Sequence, residues 1–238
     1  MTGTGTARRA TGAEVTKLRT LPAVIWTVLI TAGATALLAG AFAASPDVSA
    51  SAADIATRTV RFAQVGVLVV GIWPVAQEYA GRQRCTTLLA VPRRGTLVMA
   101  KVAVAAGASL IAAVTSLAAA LIIGVVAGAD LRIDADNARS LVGAVLYLVR
   151  IGLLGHGLAL VTRSLTPALV AGLLLTLIVP PLLEQATEHA RWLPSSAGEL
   201  LFESSDRVLG PASGGAVLLA WVVVVTAVGA LRLVRRDA

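Results

Sequence analysis

The chain has 238 residues, 57% of them hydrophobic and 14% charged, with a mean hydropathy of +0.83 and a formal net charge of +7. A soluble domain keeps about a quarter of its residues charged, so this composition excludes one, and six membrane spans of about 20 apolar residues each would use most of the length. The lone cysteine, Cys85, excludes an intrachain disulfide, and the basic residues are scattered among apolar runs instead of forming the single patch that nucleic acid requires.

Residues 1–10 are expected to be a disordered tail and 11–238 a single transmembrane domain. The stretch 8–21, RRATGAEVTKLRTL, sets Val15 and Leu18 among Arg9, Lys17 and Arg19. It predicts a short amphipathic helix on the inner leaflet, with a disordered basic tail as the alternative. The first apolar run starts near Pro22, is longer than a signal-peptide core and ends without a cleavage site, so it predicts a retained helix.

Charge-free stretches mark five spans: Thr20–Pro46, Phe62–Gln77, Val102–Ala129, Ser164–Leu183 and Leu209–Ala230. A sixth apolar region, Leu141–Thr162, is long enough to cross but carries Arg150 and His156. With helix ends included, the spans are expected at about 21–45, 58–80, 97–129, 139–163, 165–184 and 212–235. Pro180 and Pro181 are expected to end the fifth helix, because proline removes a backbone donor and restricts the residue before it. Gly124, Gly128, Gly152, Gly155, Gly157 and Gly172 fit close helix packing.

Thirteen lysines and arginines fall on one side of this arrangement, from Arg8 and Arg9 through Arg82–Lys101 and Arg163 to Arg235 and Arg236, against six on the other. The positive-inside rule then places both termini in the cytoplasm.

Arg150 lies near the middle of the fourth run, where a charge costs several kcal/mol unless it meets a cavity or a partner. It is a candidate contact for an anionic substrate; snorkelling to an interface is the competing reading. His156, about 120° away on the helical wheel, is either a packing histidine or a proton relay. The segment from Glu184 to Ser213 is long for a connection, and Trp192, Leu193, Leu200, Leu201 and Phe202 give it an apolar side. A re-entrant or interfacial hairpin is expected at its place, with a loose polar loop as the alternative.

Between the second and third spans lies QEYAGRQRCTTLLAVPRRGTLVMAKVAV, Gln77–Val104. It carries five cationic residues and a short helix-compatible stretch, Thr86–Val91, followed by the breakers Pro92 and Gly95. An ordered helix between Gly81 and Pro92 exceeds what topology requires and points to a docking element for a cytoplasmic partner.

At three places the sequence resembles the permease subunits of type 2 (ABC-2) ATP-binding cassette transporters, especially actinobacterial ones. These are EVTKLRTLPAVIWTVL (Glu14–Leu29), similar to the family's amphipathic elbow and first span; EYAGRQRCTTLLAVPRRGTLVMAK (Glu78–Lys101), similar to its Glu, Gly, short helix, Pro, basic pair and Lys; and LPSSAGELL (Leu193–Leu201) with the closing LRLVRRDA, similar to its outer loop and last helix. The pattern departs at Gln83–Cys85, where the family more often has a small polar residue and Arg after Gly-Thr.

The resemblance implies an all-α six-span permease of the bacterial inner membrane, with an elbow helix and a cytoplasmic coupling helix. Two such permeases, identical or similar, would form an export pathway among the membrane lipids and rest on two separate ATPase subunits. The partner-binding segment would comprise Glu78, Gly81, Arg82, Arg84, Thr86, Leu88, Leu89, Pro92, Arg93 and Arg94, and the pathway would include Arg150 and His156. No GxxxxGK[ST] occurs, so ATP and Mg2+ are expected in the partner subunit. Nor is there a GxSxG, an HExxH or a carboxylate pair within the spans, so neither catalysis nor a metal is expected in this chain. A non-transporting scaffold or immunity protein, or a secondary carrier, are the rival readings.

Overall fold

The computed structural model describes residue 12 and residues 22–45, 51–80, 94–131, 134–203 and 208–236. Among these, all regular structure is helical, and six helices are long and apolar enough to cross a membrane. They are α1 (Pro22–Ala43), α3 (Val60–Ala80), α4 (Arg94–Val126), α5 (Ala135–Thr162), the composite span Leu165–Glu184, and α9 (Pro211–Arg236). The elbow expected before α1 and the coupling helix expected between α3 and α4 lie outside the described residues.

In α1 the hydroxyls of Thr27, Thr31 and Thr35 donate to carbonyls one turn back, at 2.7, 2.7 and 3.0 Å. This satisfies a polar group within an apolar surrounding, at a small cost to the helix's own ladder. Thr35 also reaches the Ser116 carbonyl of α4 at 3.2 Å, linking the two helices. A short helix, α2 (Ala52–Arg58), then turns the chain into α3. Its start is a capping box: the Ser51 hydroxyl accepts from the Asp54 N–H and the Asp54 carboxylate from the Ser51 N–H.

The fourth span, which carries Arg150 and His156, is the centre of the bundle. It is a single continuous helix, 67% buried against 22% for α1, and it packs on α3, α4, α6 and α9. Glycines make this possible. A Cβ on Gly71 of α3 would sit 1.9 Å from the Gly152 carbonyl oxygen of α5, and one on Gly152 would sit 2.1 Å from Ser109 Oγ of α4. Three helices therefore meet at backbone distance. Gly128 plays a different part from the packing expected of it: its φ is +94° and no atom would crowd a side chain there, so it turns the chain after α4.

The fifth span also departs from expectation, because it does not end at Pro180. α6 (Leu165–Leu173) runs into a π-helical turn, Leu174–Ile178, and then into α7 (Val179–Glu184). The wider turn carries the Val179 N–H back to the Leu174 carbonyl and restarts the helix. The prolines then stand in the first turn of α7, the place in a helix where a missing N–H costs least.

Between the fifth and sixth spans the chain forms a 3-10 turn, Glu188–Trp192, and a short helix, α8 (Pro194–Glu199). Residues 194–198 are buried. Gly143 of α5 and Gly214 of α9 admit this segment: a Cβ on either would lie 2.0 Å from the Leu201 oxygen or 2.3 Å from the Ala197 oxygen. Trp221 Nε1 of α9 donates to the Trp192 carbonyl at 2.9 Å and fixes the segment's entry.

Candidate functional site

Polar groups gather at both ends of the bundle, and each gathering follows from helix direction. Antiparallel neighbours bring the end of α3 beside the start of α4, and the start of α3 beside the segment between α7 and α9.

At the first end, Lys101 of α4 donates to the Glu78 carboxylate of α3. Both residues are buried, at 6% and 9% exposure. An ion pair at such depth gains from low dielectric but has lost its water, so its value depends on both partners being present. His156 of α5 is 2% exposed and lies within electrostatic range of both charges, one helical turn beyond Gly152. Its ring nitrogens lie against the Gly71 backbone without reaching ordinary hydrogen-bond geometry.

Next to the pair, the Arg163 guanidinium sits over the Tyr79 ring, 5.8 Å from its centroid, and donates to the Arg232 carbonyl at 2.9 Å. Arg232 returns a bond to the Val161 carbonyl at 3.2 Å. Arg163 adopts a left-handed backbone, φ 60°, to end α5. That conformation costs roughly 1–2 kcal/mol in a residue other than glycine. These contacts tie α3, α5 and α9 where the chain turns.

At the opposite end, Arg61 of α3 bonds Glu199 of α8 at 2.9 Å, with Glu203 at 3.6 Å. Burial pushes the Glu199 carboxyl above its ordinary pKa, and the Arg61 charge opposes this only in part. Beneath them the Tyr147 hydroxyl of α5 donates to Gln64 Oε1 of α3, both side chains being fully buried. The Tyr147 ring packs at 5.3 Å from that of Phe202.

Of the residues singled out in sequence, Glu78 stands in the buried pair. Gly81, Arg82, Arg84, Thr86, Leu88, Leu89, Pro92 and Arg93 lie outside the described residues, and Arg94 is the first residue of α4. Arg150 and His156 are not brought together. His156 occupies the seam between α3 and α5, whereas Arg150 is directed at α9, where a Cβ on Gly215 would come within 3.0 Å of its Nη1. That nitrogen is buried without a hydrogen-bond partner among the described residues.

Sequence reasoning named Lys101 only as the head of the third span and missed Gln64, Tyr147, Arg61 and Glu199 as partners. Opposite charges at facing ends of consecutive spans were the available signal for Lys101. For Arg61 and Glu199, 138 residues apart, there was none. Among the described residues no group of three His, Cys, Asp or Glu is placed to hold a metal ion. The chain matches no protein-family model and no curated protein.

Proposed function

We propose that this multi-pass helical protein is the permease subunit of an ATP-driven exporter of the bacterial inner membrane, with the Glu78–Lys101 end facing the cytoplasm. The observation that carries the proposal is the buried pair itself. It joins the two helices on either side of residues 81–93, and His156 and Arg163 connect the same place to α5 and α9. A displacement imposed on that segment would therefore reach α3 and α4 through the buried pair, α5 through the neighbouring His156, and α9 through the more exposed Arg163–Arg232 contact, which is what coupling to a separate motor requires.

On this reading two ATPase subunits supply ATP binding and hydrolysis with Mg2+, and the 78–95 segment, anchored in the bundle by Glu78, couples this chain to them. A second permease, identical or similar, completes the pathway, and Arg150 supplies a cation to it. The segment 8–21 supplies the elbow helix and the segment around α8 is a re-entrant hairpin at the outer end. The chain itself carries no catalytic centre.

The test is co-purification with an ATPase and stimulation of its activity. Leu88→Asp with Leu89→Asp is expected to abolish both while the protein still inserts and stays monodisperse. An intact complex with unchanged stimulation would remove the coupling role and leave the scaffold reading.

A further inference from the structure

Two clefts open between α1 and α3, and Phe62 lines both. The upper one, of about 440 Å³, lies at the Arg61 end and is bounded by Phe42, Arg58, Arg61, Phe62, Phe202 and Glu203. Phe42 and Phe62 pack with their centroids 6.5 Å apart. The lower one, of about 330 Å³, continues along the same pair of helices past Thr31, Ala34, Val65, Gly66 and Val69. Its threonine hydroxyls are taken up by backbone carbonyls of α1 and, for Thr35, of α4, so the groove offers a solute no strong polar group. From Phe62 to Val69 it extends roughly 10 Å along the membrane-crossing direction.

The chemistry changes sharply along this track. Its mouth holds two guanidinium groups and a carboxylate, all substantially exposed, beside the start of the apolar span Val60–Tyr79, the end of a span being where headgroups would lie. Arg61 is shared with Glu199 and Glu203, whereas Arg58 makes no ion pair among the described residues. Its body is an apolar channel open to the lipid. We infer that the track binds one phospholipid with an amine-bearing, zwitterionic headgroup. The phosphate rests on Arg58 and Arg61, the amine faces Glu203, and an acyl chain fills the groove below Phe62. Planar guanidinium groups suit a phosphate bidentately, and the exposed Glu203 carboxylate among the described lining residues distinguishes an amine-bearing headgroup from a purely anionic one. This site stands on the clefts alone and does not depend on the chain being a transporter.

The experiment uses the full chain, purified in mild detergent and offered equal amounts of phosphatidylethanolamine and phosphatidylglycerol, with retained lipid read by native mass spectrometry. One phosphatidylethanolamine should be retained per chain, in preference to phosphatidylglycerol by at least about fivefold. Arg58→Gln at the mouth, and Ala34→Trp, which fills the groove from an exposed position, should each lower retention by about fivefold or more. Arg139→Gln, which lines neither cleft, should leave it unchanged, and all three variants should keep the parent's thermal unfolding. Equal retention of the two lipids overturns the headgroup assignment. Undiminished retention in either Arg58→Gln or Ala34→Trp overturns the site.

Discussion

Lys101 and Glu78 form a buried ion pair that closes the two helices flanking residues 81–93, and His156 of the central helix lies beside it. A pair in this position is a structural joint more than a source of stability. Replacing a buried pair as a unit is often neutral, while removing one partner strands a charge.

Lys101→Met or Glu78→Gln alone is therefore expected to destabilise the protein by about 3–5 kcal/mol, and the double variant to recover most of that loss. Thermal unfolding in detergent, run as a double-mutant cycle, measures it. Additive losses would mean that the two side chains do not act as a pair.

The close approach of α3, α4 and α5 makes a steric prediction. Gly71→Ala drives a Cβ onto the Gly152 carbonyl, which is backbone and cannot swing aside, whereas nothing lies within 4 Å of a Cβ on Gly33 of α1. Gly71→Ala should lower stability by about 1–3 kcal/mol or more, while Gly33→Ala should be neutral or slightly stabilising. The same unfolding assay compares them, and equal effects would contradict the packing described.

Six spans were legible in the sequence because each needs a run of apolar residues that few soluble segments supply. The fourth looked weakest, since counting charges cannot distinguish a helix wrapped in protein from one facing lipid. Arg150 and His156 are tolerated there because α5 is the interior helix; Gly152 and Gly155, which fit close packing in the sequence, do let its neighbours approach, whereas Gly143, which admits the Leu201 backbone, was not singled out. Pro180 and Pro181 misled for a related reason. A π turn upstream absorbs them, and nothing in LLTLI announces one. Tyr147 and Gln64, polar groups within apolar stretches, could have been suspected of pairing, but their register across α3 and α5 is set by the tertiary packing.

That hydrogen bond gives a further prediction. Tyr147→Phe leaves the buried Gln64 oxygen without its donor, at a cost of about 1–3 kcal/mol, and adding Gln64→Leu should restore much of it. Failure of the second substitution to compensate would show that the hydroxyl matters through some other contact.

The Arg61–Glu199 link predicts a pH response with a definite sign. Burial raises the folded-state pKa of Glu199, so ionising it is harder in the folded protein than in the unfolded chain. Its contribution to stability is accordingly largest below the ordinary value of about 4.5 and falls as pH rises through the raised folded value. Glu199→Gln should flatten that part of the stability–pH profile and cost nothing at neutral pH. Arg61→Gln, which strands the carboxylate, should steepen the fall. Loss of stability in Glu199→Gln at neutral pH would mean that the ion pair outweighs the burial it requires.

The coupling proposal is tested most directly at Cys85, the only cysteine in the chain and a member of the segment assigned to the ATPase. A thiol-reactive photocrosslinker placed there in native membranes should yield, on illumination, an adduct with a protein carrying a phosphate-binding GxxxxGK[ST] loop. Efficient labelling of Cys85 that gives no adduct with any such ATPase would contradict the account.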